Sequence, residues 1–200
     1  MNEKRDTVSS KGNAVILKIY SVGHPVLRQQ ARSLSTEEIH SSLIQDLIAN
    51  MRETMRDAPG VGLAAPQVGQ SLQLTVIEDR IEYFKGMSEA ELKERERSPI
   101  DFHAIINPEI ELLSPPEVVA HEGCLSVPGF MAAVPRSRSV RVTCLDEHAE
   151  PKVIEATGWY ARILQHEIDH LRGRLYIDLM QSDSFTTLEN YQRHVKKQLP

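Results

Sequence analysis

A short run in the last fifth of the chain, His166-Glu167-Ile168-Asp169-His170, has the residue types and the spacing of a metal site. In a helix, His166 and His170 lie one turn apart on the same face, so both imidazoles can reach one metal ion. Glu167 could then accept a proton from water that the metal activates. The run therefore predicts metal-assisted hydrolysis, and it leaves the third ligand open.

Candidates for the third ligand lie on both sides of this run. Catalytic sites of this class usually have three protein ligands and one open position. Downstream, the chain offers Asp178, Glu189 and His194, none of them in a suggestive setting. Upstream, Cys124 lies in the segment EGCLS (122–126), where a thiolate could complete a Cys-His-His site. The alternative for Cys124 is an inert buried thiol, which is the commonest fate of a single cysteine.

A third segment, GVGLAAPQ (60–67), is rich in glycine and alanine. Small residues permit close approach of the backbone, so the segment could pack against a substrate or another strand. It lacks the lysine and the spacing of a phosphate-binding loop. The alternative is a tight connection between a helix and a strand, in which Gln67 is an ordinary polar residue.

The composition is that of an ordinary globular domain. The 200 residues are 40% hydrophobic and 26% charged, with a formal net charge of −5, which argues against a nucleic-acid-binding surface and predicts no DNA partner. No apolar run approaches the roughly 18 residues of a membrane helix. The polar residues 1–14 have no hydrophobic signal core, so we expect a cytoplasmic protein with no membrane contact. Cys144 is expected to be a buried, inert thiol in phase with Val140 and Val142.

The expected architecture is an α+β domain, with mainly antiparallel strands around the helix that carries the HExxH motif. That helix should begin at Thr157 or Gly158 and end at Gly173. A second long helix is expected near the N-terminus, from Ser35 to about Asp57. Its predicted apolar face repeats every fourth residue: Ile39, Leu43, Leu47, Met51 and Met55.

Strands are expected over 72–77, 104–113, 118–121, 140–145 and 152–156, with a short strand or extended segment over 16–20. Residues 82–101 are dense in Glu, Lys and Arg, and we expect them to form an exposed, partly helical charged excursion. The expected division is a flexible tail over 1–14, a catalytic domain over 15–180 and a C-terminal extension over 181–200, helical from about residue 185.

Together and in this order, GVGLAAPQ (60–67), EGCLS (122–126) and HEIDHLRG (166–173) resemble the signature of the peptide deformylases. The resemblance runs from about Ile16 to Met180, and three matches in series are specific. It implies removal of the formyl group from the N-terminal formyl-methionine of nascent polypeptides.

The resemblance also implies site residues. It makes Cys124, His166 and His170 the metal ligands and Glu167 the general acid and base. It further implies that the side chain of Gln67 and the backbone N–H of Leu125 donate hydrogen bonds to the formyl oxygen. The backbone of Gly62 would contact the same end of the substrate.

Ligand softness alone would favour zinc at a Cys-His-His site. The resemblance instead implies one Fe²⁺ per chain, with Ni²⁺, Co²⁺ or less active Zn²⁺ as substitutes. It also implies partners at the ribosome exit, where the basic Arg193, Lys196 and Lys197 could contact RNA; a solvated helix end is the alternative for these three residues.

The sequence departs from many bacterial deformylases after EGCLS, since Met131 lies near the place of an arginine that contacts the peptide. Val61, Ile163 and Phe130 are candidates to line a methionine pocket, with ordinary core packing as the alternative. Two other functions stay open. One is a metallopeptidase or other amide hydrolase, and the other is a non-catalytic protein that binds formyl-methionyl peptides.

Overall fold

A computed structural model describes residues 14–196. The predicted N-terminal tail therefore lies outside the described residues except for Ala14, and so do the last four residues of the chain. None of the helices in the described part is long and apolar enough to cross a membrane.

The described part contains two antiparallel sheets. In chain order the strands are β1 (Gly62–Ala64), β2 (Leu74–Asp79), β3 (Ile100–Leu112), β4 (Val118–Cys124), β5 (Val127–Arg136), β6 (Ser139–Leu145), β7 (Pro151–Thr157) and β8 (Thr186–Thr187). The larger sheet has the order β1-β2-β3-β6-β7, and the smaller sheet has the order β4-β5-β8. The predicted α+β class with antiparallel strands is confirmed.

The helices are α1 (Thr36–His40), α2 (Ser42–Asp57), α3 (Glu89–Glu94), α4 (Gly158–Leu171) and α5 (Leu188–Asn190). A π-helical turn continues α5 over Tyr191–Val195. The HEIDH residues lie in the second half of α4, so the two histidines share a helix as the sequence predicts.

The elements stack in layers around the large sheet. Leu74 and Val76 of β2 pack in a core cluster with α2, whereas Ile77 packs in a second cluster with Leu164 and Ile168 of α4. This alternation follows from the two-residue period of a strand, and it explains why every residue of β2 is buried. Arg162 and His166 of α4 form hydrogen bonds with Val134 and Glu122 of the smaller sheet, so the HEIDH residues lie between the two sheets.

The predicted continuous helix from Ser35 to Asp57 is wrong in one respect. The helix is interrupted at Ser41, which has an extended backbone and caps α2 by accepting a hydrogen bond from the N–H of Ile44. Within α2, residues four apart in sequence drift round the helix by about 40° per step. Leu43 is therefore 76% exposed and Leu47 is half-buried. The buried face of α2 consists instead of Ile44, Ile48, Met51, Thr54 and Met55.

The structure decides one open strand prediction and adds a strand. Of the two alternatives for residues 16–20, the strand is not formed; N–H groups there bond elsewhere, for example Leu17 N–H to the Thr54 hydroxyl. The ten-residue β5 was not predicted, because its Pro128, Gly129 and Pro135 read as turn residues. The predicted C-terminal helix is also shorter than expected, since β8 pairs with Phe130 and Met131 before α5 begins.

Candidate metal centre and catalytic cavity

Three potential metal ligands converge where β4 ends beside α4. One ligand atom from each of Cys124, His166 and His170 lies within 4.8 Å of the others. The register of β4 and β5 shifts between Gly123 and Cys124, and the hairpin then closes by pairing Cys124 with Val127. The thiol lies 3.3 Å from Nε2 of His170. A thiolate and two imidazoles form a donor set that suits a divalent transition metal.

His170 lies deepest in this cluster and is 1% exposed. Burial lowers the pKa of His170 well below its usual range, and the neighbouring His166 lowers it further. The imidazole is therefore neutral, which is the form that binds a metal.

His166 is oriented by Glu122, which lies in β4. The Nδ1 atom of His166 lies 2.9 Å from Oε2 of Glu122. A carboxylate at this distance keeps the proton on Nδ1, so Nε2 is left to face Cys124 and His170. Carboxylates in this position fix both the tautomer and the ring orientation of metal-binding histidines.

Glu122 is itself held in a buried network of charges. Its two oxygens accept hydrogen bonds from Arg136 at 2.9 and 3.0 Å and from Arg162 at 2.7 Å. Arg136 also donates to Asp169, which lies in α4 between the two histidines. Burial opposes ionisation of Glu122, but hydrogen bonds from His166 and Arg136 outweigh it and hold its pKa well below the usual range. Glu122 is therefore a carboxylate, and the network of charges links β4 and β5 to α4.

Glu167 lies beside the ligand cluster with its carboxyl group buried. Burial raises the pKa of Glu167 to about 7, against the opposing effect of the nearby His166 and a hydrogen bond from Thr75. A carboxyl group poised near neutral pH can accept and return a proton. A bound cation would shift this pKa back down.

Gly62 makes room for this carboxyl group. A Cβ atom at Gly62 would lie 2.2 to 2.8 Å from the Glu167 side chain, far inside van der Waals contact. A side chain at this position of the GVGLAAPQ segment would therefore displace the Glu167 carboxyl group, a consequence that the sequence did not reveal.

Gln67 is buried with its amide directed at the cluster. Its Oε1 accepts a hydrogen bond from the N–H of Ala64 at 2.9 Å, which fixes which end of the amide points inward. Its Nε2 donates to the hydroxyl of Ser126 at 3.2 Å and lies 3.5 Å from the Cys124 thiol. The donor end of Gln67 therefore faces the ligand cluster.

A cavity of about 680 Å³ opens over these residues. Of the residues predicted for the site, its lining includes Gly62, Gln67, Cys124, Leu125, His166 and Glu167. The three candidates for a methionine pocket, Val61, Phe130 and Ile163, line it as well. His170 lies behind this surface, so a ligand in the cavity meets the other two members of the cluster.

The three motifs are thus brought together around one cavity, and the comparisons with known proteins agree. A family model described as polypeptide deformylase matches residues 16–185. The chain belongs to the peptide deformylase family.

Several deformylases are similar over most of the chain. It is 45% identical to peptide deformylase 1A, chloroplastic, of Solanum lycopersicum over 86% of this chain and 62% of that protein. It is 43% identical to peptide deformylase 3 of Streptomyces avermitilis over 86% of this chain and 75% of that protein. The chain spans slightly less than two thirds of the length of the tomato relative and of an Arabidopsis thaliana relative, of which it covers 64%.

Solved deformylases share the fold. A structure from Thermotoga maritima has a TM-score of 0.68 and 36% identity over 83% of this chain and 98% of that chain. A class I type b deformylase from Acinetobacter baumannii with bound Met-Ala-Ser has a TM-score of 0.75 and 30% identity, covering 84% of this chain and 100% of that chain.

Sequence reasoning missed the charged residues that support the deformylase motifs. Glu122 and Asp169 lie inside the quoted motifs, but no role was assigned to them. Arg136 and Arg162 lie outside the motifs. The available signal was the presence of ionised residues in segments that are otherwise apolar, because buried charges occur where they are paired.

The prediction for Cys144 is confirmed: it is buried, and burial raises its pKa to about 11.

Proposed function

We propose that the chain hydrolyses the formyl group from N-terminal formyl-methionine and releases formate. One observation carries this proposal: a Cys-His-His cluster, a buried carboxyl group and an inward-facing amide donor meet at the floor of one cavity. Family membership supports the same activity. The hydrolysis breaks the bond between the formyl carbon and the amino nitrogen, and water supplies the hydroxyl of formate and the proton of the amine.

Cys124, His166 and His170 would hold one metal ion. The neutral His170 and the orienting hydrogen bond between His166 and Glu122 support this assignment, as does the softness of the thiolate. Fe²⁺ is the metal we propose, with Ni²⁺, Co²⁺ or Zn²⁺ as substitutes. A metal at this position supplies Lewis acidity, which polarises the formyl carbonyl and lowers the pKa of water.

Glu167 would act as the general base and then as the general acid. It accepts a proton from the attacking water and delivers it to the departing amino nitrogen. Its buried setting supports this cycle, because a carboxyl group away from bulk water exchanges its proton with the reacting groups.

Gln67 and the backbone N–H of Leu125 would donate to the formyl oxygen as negative charge develops on it. The fixed orientation of the Gln67 amide supports this role, since a donor that is already aligned need not reorganise during the reaction. Loss of one such donor typically costs about 2.7 to 4 kcal/mol of transition-state stabilisation. The backbone of Gly62 would contact the same end of the substrate.

The methionine side chain would lie against Val61, Phe130 and Ile163. These apolar residues share the cavity with the ligand cluster.

The proposal also includes a catalytic domain over residues 15–180 and a C-terminal extension over residues 181–200. The cytoplasmic location also stays a prediction, and relatives named chloroplastic show that the family occurs in other compartments.

Formate release tests the proposed activity. Met-Ala-Ser is bound in the Acinetobacter baumannii relative, so formyl-Met-Ala-Ser is a suitable substrate for protein loaded with Fe²⁺ without oxygen. We expect turnover that falls at least about 100-fold in Glu167→Gln and in Gln67→Ala. Glu155→Gln, at an exposed position of β7, is the matched control. Equal turnover by wild type and Glu167→Gln would refute the mechanism.

The metal assignment has a readout independent of turnover. Cys124→Ala should lose most bound metal in elemental analysis, whereas Glu189→Ala and His194→Ala should retain it. A metallopeptidase with a downstream third ligand predicts the reverse. The structure gives no support to that alternative, because Glu189 is exposed and paired with Arg193, away from the cluster.

The proposed partners are nascent formyl-methionyl polypeptides. Contact with the ribosome through the basic C-terminal residues stays a prediction. Cosedimentation with ribosomes should weaken when residues 181–200 are deleted, and unchanged cosedimentation would remove the idea.

A further inference from the structure

The charged excursion, residues 82–101, forms one wall of the catalytic cavity. The cavity that Cys124 and Glu167 line is also lined by six residues of the excursion: Tyr83, Lys85, Met87, Glu91, Arg95 and Arg97. The excursion, for which the sequence indicated no role, therefore faces the space through which a peptide must leave the ligand cluster.

This wall is fixed to the rest of the domain. The N–H of Trp159 donates to the carbonyl oxygen of Arg95 at 2.8 Å. Gly158 has a φ of +58°, and a Cβ atom there would lie 2.7 Å from that same carbonyl oxygen, so the excursion packs directly on the first turn of α4. Arg97 forms a bidentate ion pair with the fully buried Asp79 at 2.7 and 2.8 Å. The part of the excursion around Arg95 and Arg97 consequently keeps a defined position relative to the cavity.

The wall carries a surplus of positive charge. Arg97 is neutralised by its buried ion pair, but Lys85 and Arg95 form no ion pair within residues 14–196. The guanidinium group of Arg95 lies over the Trp159 ring at 5.5 Å, which holds it at the cavity without neutralising it. The acidic residue of this wall is Glu91, whose carboxylate accepts a hydrogen bond from the N–H of Ser88 at 2.7 Å and keeps its negative charge. Because Asp79 neutralises Arg97, the two cations Lys85 and Arg95 still outnumber this one anion.

We propose that Lys85 and Arg95 make the cavity selective for formyl-methionyl peptides with an acidic side chain at the second or third residue. This inference rests on the proposed function. A peptide whose methionine lies beside the ligand cluster extends about 3.3 Å per residue, so its next residues pass along the cavity wall. Both cations attract an acidic side chain there, although the chain as a whole has a net charge of −5.

The test compares two isosteric substrates, formyl-Met-Ala-Asp-amide and formyl-Met-Ala-Asn-amide, and repeats the comparison with Asp or Asn at the second residue. The measured quantity is the ratio of kcat/KM values for the Asp and Asn peptides, because a general loss of activity in a variant cancels in this ratio. We expect wild type to favour the Asp peptide about two- to fivefold, the range of one partly exposed ion pair. The preference should shrink in about 1 M salt.

Lys85→Gln and Arg95→Gln should each lower this ratio, and the double variant should bring it to about 1. Arg95→Lys keeps the charge and should retain most of the preference. Lys93→Gln is the matched control, because Lys93 lies on the same excursion, is exposed and lines no part of the cavity. Its ratio should equal that of wild type.

The outcomes separate this inference from the function on which it rests. Formate release from both peptides with a wild-type ratio near 1, or with a ratio unchanged in the double variant, overturns the inference and leaves deformylation standing. No formate from either peptide overturns both. A reduced ratio in Lys93→Gln equal to that in Lys85→Gln would also overturn the inference, because it would show an effect of net charge alone.

Discussion

Glu122→Gln should destabilise the protein strongly, because Glu122 is the shared partner of three buried cations or donors. Oε1 accepts from Nε of Arg136 at 2.9 Å and from Arg162 at 2.7 Å, while Oε2 accepts from Nη2 of Arg136 at 3.0 Å and lies 2.9 Å from Nδ1 of His166. A glutamine offers one acceptor oxygen, so its NH₂ group must face two other donors. The variant therefore leaves buried positive charge without its partner.

The expected loss of stability is about 3 to 5 kcal/mol, the usual effect of breaking a buried ion pair by removing one partner. Urea denaturation of the metal-free protein measures it. Glu155→Gln is the control, because Glu155 pairs with Arg141 at 2.9 Å but its side chain is 65% exposed. An exposed pair of this kind contributes under about 1 kcal/mol. A loss below about 1 kcal/mol for Glu122→Gln would refute the view that these charges are buried and mutually dependent.

The same substitution should weaken metal binding about 10- to 100-fold, since Glu122 orients the imidazole of His166. Competition with a chelator of known affinity measures this change at a temperature where the variant is folded. Arg162→Met separates the two roles, because it removes a charge from the network without touching His166. We expect Arg162→Met to lose stability while its metal affinity changes less than that of Glu122→Gln. Equal metal affinity in wild type and Glu122→Gln would contradict the orienting role.

Three other predictions follow from the site and its surroundings. Because the folded-state pKa of Glu122 lies well below the unfolded value of about 4.3, its contribution is complete above that pH and is lost as the pH falls towards the folded value. Wild-type stability should therefore fall below about pH 4 by up to about 1.4 kcal/mol per pH unit more than that of Glu122→Gln, as measured by urea denaturation at several pH values. Gly62→Ala should lower kcat about 100-fold in a formate assay, because the new methyl group displaces the catalytic carboxyl group; Gly123→Ala is its control. Iodoacetamide at pH 8 should leave Cys144 of the folded protein unlabelled, because burial raises its pKa to about 11, and should label Cys124 only after metal removal, as peptide mass spectrometry would show.

Each of these predictions has an outcome that contradicts it. A parallel acid dependence in both proteins would show that Glu122 has no depressed pKa. Equal kcat for the Gly62 and Gly123 variants would show that the carboxyl group of Glu167 tolerates displacement; the added Cβ at Gly123 meets its nearest atoms at an ordinary 3.7 Å. Labelling of Cys144 as fast as in unfolded protein would contradict its burial.

The periodicity of the sequence predicted the positions of the helices and strands more accurately than it predicted which of their residues are buried. The repeat through Leu43 and Leu47 suggested one continuous apolar face, but the cap at Ser41 divides the helix in two. Within α2, the period of about 3.6 residues per turn places Ile44 rather than Leu43 in the core. A short polar residue can end one helix and begin the next, and four-residue spacing alone does not reveal this break. Similarly, β5 was not predicted because it contains proline and glycine, which favour turns. Pairing with β4 overrides these local preferences.

The sequence by itself determined the chemistry at the centre of the protein. The spacing of His166 and His170 requires a shared helical face, and the motif series indicated the thiol, the carboxyl group and the amide that the structure brings together. The shared face of the two histidines needed only local geometry and residue type, whereas the roles of the thiol and the amide rested on the resemblance of the three motifs to the deformylase signature.

Only the tertiary structure decided how that chemistry is supported and what surrounds it. Glu122 and Arg162 meet although 40 residues separate them, and the excursion that carries Arg95 packs on Trp159, 64 residues further along the chain. Such contacts depend on how strands pair and how α4 packs between two sheets. Their energies come from burial, which no single segment of the sequence specifies.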